Sequence, residues 1–179
     1  MVFKFLIEKF NEEKIDFAII GGFALQFSGI TRTTRDIDLL ILSKDSKKVK
    51  EIIVGYGYKT IHESEDVLNF LSDKPELGRI DFLLAHRTYA TAMLKRAQEK
   101  KIFEGKLKVK VLTVEDQVGL KVQSSSNDPQ RLSQDMVDIE LLIRNNYPNL
   151  DLTLLKEYFE LFNREKQLDE IIERVKNVK

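Results

Sequence analysis

Residues 19–41 read IIGGFALQFSGITRTTRDIDLLI. An apolar run stopped by Gly21-Gly22, a short amphipathic piece stopped by Gly29, and a second apolar run opened by two acids spell strand, turn, helix, strand. The helix FALQFSG starts straight off the two glycines, and DIDLLIL from Asp36 to Leu42 is the clearest strand signal in the chain. The 13 residues between Gly22 and Asp36 suffice for one short helix and a return into the neighbouring strand. Alternate residues of a strand share a face, so Asp36 and Asp38 point one way with Leu40 and Leu42, while Ile37, Leu39 and Ile41 point the other.

Two carboxylates about 6 Å apart repel by about 3 kcal/mol at an effective dielectric near 20, so a cation belongs beside them. A divalent metal meets that need, and so does capping by Arg32 or Arg35 at a wet strand end. A second apolar strand, RIDFLLA (79–85), carries the lone carboxylate Asp81 opposite Ile80, Phe82 and Leu84. Asp81 either completes an acidic cluster with Asp36 and Asp38 or forms a salt bridge with Arg79 or Arg35. Such a cluster holds two Mg²⁺ ions, or Mn²⁺ in their place, as phosphoryl and nucleotidyl transfer require. Gly21 and Gly22, lacking side chains, let backbone N–H groups approach a triphosphate closely; otherwise the pair makes only a turn.

Outward from this stretch, residues 2–13 have helical spacing and DFAII (16–20) is a short buried strand. A polar-faced helix follows Ser43 and closes at Gly55 or Gly57, with strands near 58–61, 67–71 and 79–85. HRTYATAMLKRAQ (86–98) is predicted helical, and EGKLKVKVLT (104–113) alternates apolar residues against lysines as a half-exposed strand near a sheet edge. Beyond Thr113, which forms a capping-box pattern with Asp116, helices are expected at 114–124, 129–144, 151–162 and 164–176. The predicted architecture is α/β (α+β): a mixed sheet flanked by helices over residues 1–112, with a helical C-terminal portion over 113–179.

Composition narrows the function classes. The 179 residues are 42% hydrophobic and 32% charged, as expected of a chain that folds by itself. Equal numbers of basic and acidic residues, 29 each, give no overall bias toward nucleic acid or an anionic membrane. The absence of cysteine excludes disulfides, a thiol nucleophile and thiolate metal sites, and two isolated histidines offer little to zinc, which leaves oxygen-liganded cations. No apolar run approaches the roughly 18 residues of a membrane span, so no membrane partner and a cytoplasmic protein are expected. Lysines 44, 47, 48 and 50 suit either an RNA backbone or a solvated helix face, and Phe23, Phe27 and Tyr56 either a stacked base or the core.

Beside this reading, residues 19–41 resemble the signature of the polymerase-β-like nucleotidyltransferases, Gly-Gly or Gly-Ser followed by Asp-x-Asp. They are most similar to the minimal bacterial and archaeal branch that includes toxins of abortive-infection type. Its pattern Arg-x-Thr-x-Asp-x-Asp is matched by Arg32, Thr34, Asp36 and Asp38. The family's third acid, on a later strand, is matched by Asp81. The toxin branch's helix lysine followed by Asp-x-x-Asp is matched by Lys121, Asp135 and Asp138.

The resemblance implies an Mg²⁺-dependent transfer of a nucleoside monophosphate from a nucleoside triphosphate to an acceptor hydroxyl, with release of pyrophosphate. Asp36, Asp38 and Asp81 would be catalytic and metal-binding. Gly21, Gly22, Arg32, Thr34 and Lys121 would bind the nucleotide, and Asp135 and Asp138 would support the site. The acceptor would be tRNA, a protein hydroxyl or a small molecule such as an aminoglycoside, and the toxin branch adds a cognate antitoxin as partner. The competing reading is an inactive module of the same fold that binds a nucleotide or a partner protein. The chain departs from many members in having Gly22 where they carry serine.

Overall fold

The computed structural model describes residues 2–177. The chain divides into two compact units, one of Met1–Ala24 with Arg32–Leu112, the other of Leu25–Thr31 with Thr113–Lys179.

The first unit is built on a seven-stranded sheet of β1 (Phe17–Ile19), β2 (Ile37–Leu42), β3 (Tyr58–Glu63), β4 (Val67–Ser72), β5 (Arg79–Ala85), β6 (Gln98–Ile102) and β7 (Leu107–Val111). The spatial order is β3-β4-β5-β2-β1-β7-β6. β2 runs parallel to β5 and β1 parallel to β7, while the other neighbours are antiparallel, so the sheet is mixed as the sequence predicted. Helices α1 (Val2–Glu12) and α3 (Ser46–Gly55) bury Leu6, Ile7, Phe10, Val49 and Ile53 in the same apolar core as Ile37, Leu39, Ile41, Phe70, Ile80 and Phe82. Period-two burial explains the register, because a slip of one residue would turn these side chains out of the core. Helix α2 (Gly21–Phe27) follows β1 directly, and α4 (Thr88–Arg96) follows β5.

Three details differ from the sequence reading. β2 opens at Ile37, which leaves Asp36 in a bend before the strand. Residues 98–102, QEKKI, form the edge strand β6 paired with β7, where the helical pattern of 86–98 had hidden a strand. Its charges lie at the exposed rim, the usual protection of a sheet edge, and they erase the apolar alternation that marks a strand. α2 begins at Gly21 itself rather than after the glycine pair.

The second unit is helical: α5 (Val114–Asn127), α6 (Leu132–Asn146), α7 (Leu152–Glu160) and α8 (Glu165–Asn177). Thr113 caps α5 by accepting the Asp116 N–H, and Asp151 caps α7 by accepting from Thr153 and Leu154. Pro129 opens a 3-10 turn ahead of α6, so that helix starts at Leu132. Leu25 and Ile30 join Val118, Val122, Ile139, Leu142, Leu155, Phe159 and Ile171 in this unit's core. Among the described residues no helix is long and apolar enough to cross a membrane.

Candidate active site

Parallel pairing sets Asp38 of β2 directly beside Asp81 of β5, and antiparallel pairing sets Asn69 of β4 on the other side of Asp81. Register partners share the pleat, so all three side chains stand on one face of the sheet, opposite the core residues Leu39 and Phe82. Asp81 Oδ1 accepts from Asn69 Nδ2 at 2.6 Å and from Arg79 Nε at 2.7 Å. Both donors fall on that one oxygen, which leaves Oδ2 for another partner.

Arg79, two residues before Asp81 on the same face, is the cation of this site. The hydrogen bond to Asp81 is the main cause of its raised pKa. Burial opposes the shift, and the charges of Asp81, Asp36 and Asp38 reinforce it. Of the two readings of Asp81, the salt bridge to Arg79 is formed, and Asp36 and Asp38 act on the same guanidinium only through their charge. Among the described residues no group of three or more His, Asp or Glu side chains stands close enough to hold a metal ion. The donor set nevertheless suits a hard cation, since Asp38 and Asp81 are in-register carboxylates with an uncommitted Oδ2 on Asp81.

The glycine turn is shaped by the acids. Gly21 has φ +60, and a Cβ there would fall 2.6 Å from Asp38 Cγ and 2.8 Å from its Cβ. Only glycine admits both the left-handed backbone and the carboxylate against it. Ile20 N–H donates to the Asp38 carbonyl at 3.0 Å and locks the turn to β2. A Cβ on Gly22 would lie 2.7 Å from Thr34 Cβ and 2.9 Å from its Oγ1, so a serine at this position would force Thr34 to shift. Thr34 Oγ1 donates to the Asp36 carbonyl at 3.3 Å and fixes the bend that carries Asp36. The first backbone bond of α2 is Ala24 N–H to the Ile20 carbonyl, so the N–H groups of Gly21 and Gly22 precede the helical ladder. Arg32 lies half-buried ahead of β2.

Lys121, Asp135 and Asp138 lie in the helical unit, where α5 and α6 bring them together. Lys121 Nζ donates to Asp138 Oδ2 at 2.6 Å and to Asp135 Oδ1 at 3.1 Å, with both carboxylates buried. Arg131 Nε reaches Asp135 Oδ2 at 3.3 Å as an i,i+4 pair, so two cations balance two anions. Burial pushes the Asp135 carboxyl up, but Lys121, Ser124 and Arg131 together outweigh it and leave the pKa below the usual value.

Four of the other candidates are engaged elsewhere, while Phe27 is exposed. Phe23 stacks on Phe3, and Tyr56 on Phe5 with ring centroids 4.0 Å apart, so both are packing residues. Lys48 pairs with Glu13 and Lys50 with Glu63, as on a solvated helix face. Asn69 is the site residue that sequence reasoning missed. Its signal was a lone amide at an alternating position of VLNFLS, on a hairpin whose register brings 69 opposite 81.

A mixed sheet with a Gly-Gly turn packed on Asp-x-Asp, and a third acid on the adjacent parallel strand, defines the polymerase-β-like nucleotidyltransferase fold. Residues 3–177 match the family described as "Nucleotidyl transferase of unknown function (DUF2204)", and the chain belongs to that family. No curated protein matches it in sequence.

Solved structures share the fold. The lincosamide antibiotic adenylyltransferase LnuA, bound to lincomycin, is 19% identical with a TM-score of 0.57, over 78% of this chain and 93% of that one. ANT(2")-Ia in complex with adenylyl-2"-tobramycin is 13% identical with a TM-score of 0.64, over 86% and 92%. An antigenic nucleotidyltransferase-like protein from Paracoccidioides brasiliensis is 18% identical with a TM-score of 0.57, over 94% and 88%.

Proposed function

We propose that this nucleotidyltransferase moves a nucleoside monophosphate from a nucleoside triphosphate to the hydroxyl of a small-molecule acceptor, releasing pyrophosphate. The observation that carries the reading is Asp38 in register beside Asp81, with Gly21 pressed against the Asp38 carboxylate. The N–H groups of Gly21 and Gly22 hold the donor phosphates, and the Thr34 hydroxyl stands where a serine side chain would otherwise serve.

Asp36, Asp38 and Asp81 are the residues that would hold Mg²⁺ or Mn²⁺, once Arg79 yields its place at Asp81. Bound there, the cation supplies Lewis-acid charge stabilisation on the phosphates and a more acidic acceptor hydroxyl. Asp81 then accepts the hydroxyl proton as the acceptor oxygen bonds to the α-phosphorus and the bridge to the β-phosphate breaks. Asn69 holds Asp81 by Oδ1 so that Oδ2 faces the reaction. Asp135 and Asp138 position Lys121 within the helical unit.

A small-molecule acceptor is favoured because two proteins of the same fold act on lincosamide or carry adenylyl-tobramycin. The toxin reading and its antitoxin rest on sequence patterns, Arg32 to Asp38 and Lys121 with Asp135 and Asp138. Retention of all three acids speaks against an inactive module. The test is incubation of the chain with α-labelled nucleoside triphosphates and Mg²⁺ against lincosamide, aminoglycoside, tRNA and protein acceptors. Label on an antibiotic-type hydroxyl supports the reading, label on tRNA or protein replaces the acceptor, and no transfer to any acceptor favours the inactive module.

A further inference from the structure

The helical unit contains a second polar site, unrelated to the carboxylates. A cavity of about 540 Å³, shallow and widely open to solvent, lies between the end of α5, the start of α6 and the start of α8, with Ser125, Ser126, Leu132, Arg164 and Lys166 in its wall. That volume is within the range of small-ligand sites.

Arg164 is the centre of the cavity wall. Its Nη1 donates to Ser125 Oγ at 2.7 Å, Ser126 Oγ at 2.9 Å and the Val122 carbonyl at 3.2 Å, and its Nε to Gln167 Oε1 at 2.7 Å. Nη2 meets only the thioether of Met136, a weak acceptor. Every partner is neutral, so a half-buried guanidinium stands without a counter-charge, against the usual pairing of such groups. Burial accordingly pushes its pKa down. Lys166, exposed at the same wall, and Glu170 form no ion pair among the described residues, so the cavity carries one net positive charge. Leu132, 42% exposed, adds an apolar wall.

We propose that this cavity binds a small molecule bearing a phosphate-type oxyanion, held by Arg164 and Lys166, with its apolar part against Leu132. The serine hydroxyls and Gln167 fix the guanidinium, and Nη2, bonded only to the Met136 thioether among the described residues, has its second N–H for the anion.

The test is residue-resolved amide NMR of the full chain titrated with inorganic phosphate and with phenyl phosphate. The expected result is saturable shifts at Ser125, Ser126, Asn163 and Lys166 for both, tighter for phenyl phosphate, and retained in Asp38→Asn. Arg164→Gln should weaken binding about tenfold or more, the loss of one charge-assisted hydrogen bond. Lys166→Gln, at an exposed position, should weaken it without touching the fold and decides the matter should Arg164→Gln fail to fold. Absence of saturable shifts at these residues, or unchanged affinity in Lys166→Gln, overturns the proposal.

Discussion

Gly21 and Asp38 are in direct contact: the glycine, at φ +60, leaves open the space that the Asp38 carboxylate fills. The first glycine of the turn and the second acid of Asp-x-Asp are therefore one structural unit, which is why their spacing carries the signature. Gly21→Ala should cost about 1–2 kcal/mol from the left-handed backbone alone. It should also displace Asp38, so that nucleotide transfer falls by more than the loss of folded protein accounts for. Urea unfolding and transfer assays on the same preparation separate the two effects.

Gly22 and Thr34 form a second pair of this kind. Gly22→Ser should lower stability by about 1–3 kcal/mol through overpacking. Combined with Thr34→Ala the cost should shrink, because the added side chain then occupies the space the threonine vacates. A double-mutant cycle in denaturant measures the coupling, and additive single effects would count against the contact.

Arg79 answers the repulsion between Asp81 and Asp38. Arg79→Met should destabilise the metal-free chain by about 1–2 kcal/mol, the worth of a charge-assisted hydrogen bond. Asp38→Asn should leave stability unchanged or raise it, since it removes a like charge. Millimolar Mg²⁺ should raise the melting temperature of Arg79→Met more than that of the unaltered chain, because the cation then meets no competitor at Asp81.

In the helical unit, Lys121→Met removes the cation shared by two buried carboxylates and should cost about 3–5 kcal/mol. The pH dependence follows from Asp135, whose folded-state pKa lies below its ordinary value. A depressed carboxyl contributes stability that is complete above its unfolded pKa and is lost as pH falls through the folded one. Acid titration of α6 amide protection should show this loss below the usual carboxylate range, and Asp135→Asn should abolish that part of the profile.

The strands β2 and β5 and the glycine turn were legible because local periodicity and backbone chemistry specify them. β6 was not, since QEKKI at an exposed edge has no apolar alternation to read. The acids were identifiable as a set, but the choice of Arg79 over Arg35 as partner of Asp81 depends on the pleat, which aligns residues 79 and 81 on one face. Asp36 was read as the first strand residue, yet Thr34 bonds to its carbonyl and holds it in a bend. The buried Lys121 triad joins residues 14 and 17 positions apart on two helices, a distance over which sequence spacing carries no contact information. Arg164 gave no signal at all, because an arginine after a helix end is ordinary until its neighbours prove to be neutral.

The most direct test of the central claim needs no acceptor: calorimetric titration of nucleoside triphosphates into the chain and into Asp38→Asn, each with and without Mg²⁺. The expected result is saturable, Mg²⁺-dependent binding of at least one triphosphate by the unaltered chain, lost or strongly weakened in Asp38→Asn while that variant remains folded. Equal binding by both proteins, or binding indifferent to Mg²⁺, would contradict the assignment of Asp38 and Asp81 as the metal-dependent nucleotide site.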